Sequence, residues 1–154
     1  MNLEASLLDT AYAAGITKQY YELCGKFPFE PGASYKKVPF KSVLATASGR
    51  IDLSKVPGPG TVFRLGGLPA GLSLNFIVQS GGTVETDFCL SVGSETVRST
   101  FAIFCNTCLK NHGLPPPSPA YPRPICSSAA NMVVVFESLK EIVLLLSEEA
   151  LKAA

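Results

Sequence analysis

Apolar and polar positions alternate most regularly between Leu72 and Cys105. One face of residues 72–78 carries Leu72, Leu74, Phe76 and Val78, and one face of residues 83–92 carries Val84, Thr86, Phe88, Leu90 and Val92. A period of two marks strands buried on one side. A three-residue Ser80-Gly81-Gly82 loop sets Val78 opposite Val84, Phe76 opposite Thr86, Leu74 opposite Phe88 and Leu72 opposite Leu90, so the apolar side chains share one face. A two-residue Gly81-Gly82 loop would set Val78 against Glu85, which selects the longer loop. A two-residue Gly93-Ser94 turn then pairs Leu90 with Val97, Phe88 with Ser99, Thr86 with Phe101 and Val84 with Ile103. The pattern predicts a three-stranded antiparallel meander over Leu72–Cys105. Its other face holds Glu85, Asp87, Cys89, Arg98 and Thr100 in solvent, with Arg98 diagonal to Asp87 in a weak ion pair.

Both ends of the chain show helical spacing. Asn2 caps a first helix in which Leu3, Leu7 and Ala11 recur at i+4, and Gly15 falls where a left-handed terminal residue belongs. Thr17 caps a short second helix through Leu23, closed by Gly25, so residues 2–24 form a helical segment. From 26 to 60 the chain is punctuated by Pro28, Pro31, Gly32, Pro39, Pro57, Gly58, Pro59 and Gly60, around extended pieces near Val38–Ala45 and Arg50–Leu53. The β region then covers 61–105. Leu114–Pro124 holds six prolines and one charge, Arg123, and the stretch 113–125 is read as a long connection. Met132–Phe136 reads as a buried strand. Ser138 and Glu141 have capping-box spacing for a helix over Leu139–Lys152, which completes a last segment at 131–152. Leu139, Ile142, Val143, Leu146 and Ala150 form the stripe that faces the sheet, while Leu144 and Leu151 lie on a second face. The fold class expected is α+β: an antiparallel sheet packed with an N-terminal and a C-terminal helix in one domain, 1–154.

Composition changes this picture in two ways. Only 16% of the 154 residues are charged, against about 25% in a typical globular domain. The net charge is +1 with basic residues scattered, so no electrostatic footprint for nucleic acid is present. No stretch reaches the roughly 18 apolar residues of a membrane span, and the N-terminus does not read as a signal peptide. The expectation is an intracellular, cytoplasmic protein. An odd number of cysteines, five, then points to free thiols or a metal site more than to disulfides.

The sharpest constellation is Cys105-x2-Cys108-x3-His112-x13-Cys126. Two cysteines at this spacing can bite one zinc ion, and an imidazole with a third thiolate would complete a tetrahedral structural site. The run Cys108-Leu109-Lys110-Asn111-His112-Gly113 resembles the Cys-Leu-Lys-Asn-His run of plant zinc-finger homeodomain proteins, which implies a zinc-stabilised module binding nucleic acid or protein. That resemblance covers under a twentieth of the chain, and the family's later Gly-Gly-His and Cys-Gly runs are absent. The strand register turns Cys105 inward, where cysteine acts as a small hydrophobe. A redox Cys-x2-Cys would need its first cysteine at a helix N-terminus, whereas a strand is expected to precede Cys105 and Gly113 and Pro115–Pro117 follow closely. His112 is the sole imidazole available as a base for a nucleophilic cysteine.

Three functions are weighed on these grounds. The preferred one is a non-enzymatic structural or protein-interaction subunit, a homo-oligomer or part of a larger complex with no cofactor, presenting Leu144 and Leu151 at an interface; the low charge and the mean hydropathy of +0.27 point the same way. The first alternative is the zinc-stabilised module on Cys105, Cys108, His112 and Cys126. The second is a cysteine-dependent enzyme. An apolar-ligand cavity is read less readily than a filled core at Phe76, Phe88, Phe101, Leu90 and Leu146.

Overall fold

The computed structural model describes residues 2–31 and 37–154; Met1 and Gly32, used in the reading above, lie outside them. It is an α+β fold. Three helices, α1 (Leu3–Ala13), α2 (Ile16–Lys26) and α3 (Phe40–Ala47), precede five strands, β1 (Leu53–Lys55), β2 (Thr61–Leu65), β3 (Leu72–Val78), β4 (Val84–Val92) and β5 (Glu95–Ser99), and two helices follow, α4 (Phe101–Asn111) and α5 (Ala129–Ala153). The strands form one antiparallel sheet in chain order. None of the described helices is long and apolar enough to cross a membrane.

The register follows from the side-chain alternation. Val78 faces Val84, Phe76 faces Thr86, Leu74 faces Phe88 and Leu72 faces Leu90. Leu90 faces Val97 and Phe88 faces Ser99 across the turn at Gly93, whose φ of +62° suits a tight hairpin connection. The residues expected inward on β3 and β4, from Leu72 to Phe76 and from Val84 to Leu90, are buried, whereas Glu85, Asp87 and Cys89 are half-buried on the open side. Arg98 meets Asp87 as foreseen, donating from Nε and Nη2 at 2.9 and 2.7 Å.

The meander stops earlier than expected. Residues 101–105 are not the end of a third strand but the start of α4, so Thr86 and Val84 have no strand partners at Phe101 and Ile103. Thr100 caps this helix by accepting from the Ile103 amide at 3.2 Å, and Phe101, Phe104, Cys105 and Cys108 recur at helical spacing on the buried side. The Phe101 amide, freed from any ladder, donates to the buried Thr86 hydroxyl at 2.9 Å. Ile103, expected inward, is 53% exposed.

Two further strands are helices. Residues 132–136 belong to α5, which Ser128 caps by accepting from the Asn131 amide at 3.1 Å. Ser138 is therefore no cap: it sits inside α5 and its hydroxyl donates to the Val134 carbonyl. Val38–Ala45 likewise gives way to α3, which buries Val43 and Ala47 at i,i+4 spacing. The Arg50–Leu53 piece reduces to β1, and Arg50 instead pairs with Glu137 of α5. Thr17 does not cap α2. Gly15, at φ +80°, ends α1 as expected and also begins α2, which runs past Gly25 to Lys26.

Helices cover one face of the sheet. α5 lies against β3 and β4, α4 against β4, α3 against β1 and α1 against β5, while α1 and α2 pack on α4 and α5. Phe136 of α5 stacks on Phe76 at 4.0 Å between ring centroids and tilts against Phe63. Phe101 and Phe104 close on Phe88 from α4. Phe76, Phe88, Phe101, Leu90 and Leu146 are all core.

Candidate interaction site

The Cys105–Cys108 pair sits on the buried side of α4, with Cys24 of α2 close enough to Cys105 for their charges to interact. Burial pushes the thiols of Cys24 and Cys126 up to about 12, and that of Cys108 up to about 11, from an ordinary 9.0. Burial likewise raises Cys105 well above the usual range. Cys108 Sγ lies 3.7 Å from the Leu8 carbonyl, and the Thr17 hydroxyl lies beside both α4 thiols. Thiols held neutral this firmly are poor nucleophiles at neutral pH. Cys105 is also five residues into α4, too far from its N-terminus for the helix dipole to lower the thiol pKa.

His112 ends α4 and turns toward α1. Its ring stacks on Tyr12 at 3.9 Å between centroids, Nδ1 lies 3.0 Å from the Cys108 carbonyl and Nε2 lies 3.9 Å from Asp9. Cys126 sits elsewhere, beside the β3–β4 loop, where its amide donates to the Gly82 carbonyl at 2.9 Å. Gly82 has φ +80°, and a Cβ there would run into the Cys126 carbonyl, so this contact requires glycine. Cys105, Cys108, His112 and Cys126 are thus not brought together, and no group of three His, Cys, Asp or Glu side chains able to hold a metal occurs among the described residues.

The proline-rich connection is tied down. Tyr20 donates to the Pro122 carbonyl at 2.9 Å, Arg123 reaches Glu85 at 3.2 Å, and the Val84 amide donates to the Pro124 carbonyl. A groove of about 700 Å³ separates it from the end of α2, lined by Tyr21, Cys24, Tyr121, Arg123 and Ile125 among others. Of the expected interface pair, Leu144 is half-buried and packed on the core, and Leu151 is 59% exposed.

The two edges of the sheet differ in a way that the linear pattern does not disclose. β1 is three residues long, is flanked by α3, has Lys55 over the Phe40 ring and runs into Pro57. β5 is five residues long and follows a two-residue turn, so Val92 and Glu95 close the hairpin with mutual hydrogen bonds. Main-chain groups alternate from there: those of Glu95, Val97 and Ser99 point to β4, and those of Thr96 and Arg98 point away. A groove of about 410 Å³ runs along this edge, walled on its far side by Asn2, Leu3 and Glu4 at the start of α1. The Leu3 amide donates to Glu95 Oε1 at 3.1 Å and fixes that wall. The readable signal was the hairpin register, which sets the outward residues; that no other strand among the described residues pairs with them is a tertiary fact.

Together these elements describe an α+β protein built on one antiparallel sheet, with helices packed beside both of its edge strands. The chain matches no family model, no curated protein and no solved structure.

Proposed function

We propose that this protein is a non-enzymatic structural subunit that works by associating with itself. The observation that carries the reading is the edge of the sheet at β5: an edge strand is a template for pairing with another chain, and β5, beside which α1 packs as α3 does beside β1, has no strand beyond it among the described residues. Exposed Leu151 and Val134 on α5 add apolar surface to the same molecule. The chemistry of the thiols agrees with a non-catalytic role, because the cysteines of α4 are buried as neutral thiols and the imidazole of His112 is engaged with Tyr12. Light scattering tests the reading directly. The chain has a mass of 16.3 kDa, and the expected result at micromolar concentration is twice that value. A mass of one chain across the micromolar range would overturn self-association.

A further inference from the structure

We infer that the proline strap over residues 114–117 is a docking segment for a partner domain that reads polyproline II through an aromatic-lined groove; the inference goes beyond the self-association proposed above and does not depend on it. Chemistry dictates the conformation of the strap. Proline holds φ at about −65°, and a residue that precedes proline is pushed to extended backbone. Leu114, Pro115 and Pro116 are each followed by proline, so they are confined to polyproline II. The fold then holds this segment at both ends. α4 closes in a Schellman motif, in which Gly113, at φ +69°, donates to the Lys110 carbonyl and the Leu114 amide donates to the Leu109 carbonyl at 2.9 Å. Beyond the strap, the Tyr20 hydroxyl holds the Pro122 carbonyl and the Ile125 amide donates to the Phe27 carbonyl. A segment ordered in this way loses little conformational entropy when a partner binds it.

The groups that the strap shows decide what can cover it. Prolines have no N–H, so no strand can pair along it through a ladder. Residues 113–122 carry no charge, so a charged surface has nothing to attract. What remains are flat pyrrolidine rings and the carbonyls of Leu114, Pro115, Pro116 and Pro117, which accept no backbone hydrogen bond among the described residues. Tyrosine and tryptophan answer both, with a ring that packs on proline and an O–H or N–H that donates to a carbonyl. Aromatic grooves that bind proline-rich segments combine these two contacts. The strap also has a defined outer side. Pro117 is half-buried and lines the groove of about 700 Å³ beside α2. Polyproline II has three residues per turn, so Leu114, 40% exposed, shares the edge of Pro117, and Pro115 and Pro116 take the other two edges, where both are exposed. The partner therefore meets the rings of Pro115 and Pro116. A contact of this size belongs with weak, transient encounters.

Amide NMR of the isotope-labelled full chain tests the strap with three probes that carry such grooves: an isolated SH3 domain, a WW domain and an EVH1 domain. The expected result is that at least one of them, added up to about 1 mM, shifts the amides of Gly113, Leu114 and Ser118. A variant carrying Pro115→Ala and Pro116→Ala is expected to bind that domain about tenfold more weakly or worse. Both positions are exposed, so the variant keeps the parent fold, which far-UV circular dichroism checks. Pro59→Ala, in the exposed turn between β1 and β2, is expected to leave the binding unchanged. No shift with any of the three domains would overturn the inference. Binding that the double variant retains in full, or that Pro59→Ala weakens equally, would overturn it as well. None of these outcomes bears on self-association, which light scattering of the same protein reads separately.

Discussion

Strand β4 presents two different environments on alternate residues. Val84, Thr86, Phe88 and Leu90 are at most 2% exposed, under Phe101 and Phe104 of α4 and the α5 helix, while Glu85, Asp87, Cys89 and Ser91 share the open face. Neighbouring residues 3.3 Å apart along one chain thus lie in a packed apolar interior and beside solvent. The difference teaches where this protein is vulnerable. Inward residues are constrained by both volume and hydrogen bonding, and the outward face is free to carry charge.

The largest test of that contrast is Phe136→Ala. Phe136 has no exposed surface and stacks on Phe76 with rings only 6° from parallel, so truncation leaves a cavity against the inward face. A loss of about 3–5 kcal/mol in urea denaturation is expected. Next is Thr86→Val, which keeps the shape but strands the Phe101 amide, which donates to the Thr86 hydroxyl. That amide opens α4 and has no intrahelical partner, so about 1–3 kcal/mol is expected to be lost. A smaller outcome would mean that the inward face tolerates polar imbalance as well as the outward one.

Alkaline pH sharpens the comparison through the thiols. Cys24, Cys108 and Cys126 hold their protons to about 12, 11 and 12 in the fold, whereas the unfolded chain releases them near the ordinary 9.0. The folded state binds these protons more tightly. Their contribution is therefore complete below about pH 9 and is lost as pH rises toward 11 and 12, by about 1.4 kcal/mol per thiol for each pH unit inside that window. Urea midpoints at successive pH values should fall through that window and stay level between pH 7 and 8 as far as these groups are concerned.

Alkylation at neutral pH distinguishes the two faces without unfolding anything. Cys89, half-buried on the open face, is expected to react first, with Cys24, Cys105, Cys108 and Cys126 slower by at least tenfold. The smallest expected effect is that of a zinc chelator, which should leave the thermal midpoint unchanged, since no group of three described His, Cys, Asp or Glu side chains is placed to hold a metal. A drop of several degrees would reinstate a metal.

The hairpins were legible because period two allows one register to bury Leu72, Leu74, Phe76, Val84, Phe88 and Leu90 together, and a slip of one residue would expose them all. The Arg98–Asp87 pair followed from the same register. The segments around Phe101, Val133 and Val43 were not legible in the same way. Phe101, Ile103 and Cys105 alternate as a strand should, but Phe101, Phe104, Cys105 and Cys108 also lie on one helical side, and short apolar runs support both readings. Thr100 and Ser128 were the available signals for helix starts, each three residues before an amide that it caps. The zinc-like spacing is open for a related reason: ligand spacing along the chain does not say which way each side chain turns, and His112 turns to Tyr12.

The sequence by itself determined the α+β class, the β3–β4–β5 register, the first helix and the stripe of α5 that reaches the core, because each depends on contacts between neighbours or on a periodicity that only one arrangement satisfies. Tertiary structure decided the rest. Whether residues 101–105 continue a strand depended on Thr86 accepting the Phe101 amide and Phe88 receiving its ring, and what flanks each sheet edge depended on α3 lying beside β1 and α1 beside β5. These are encounters between residues distant in the chain, and no local pattern records which of them occurs.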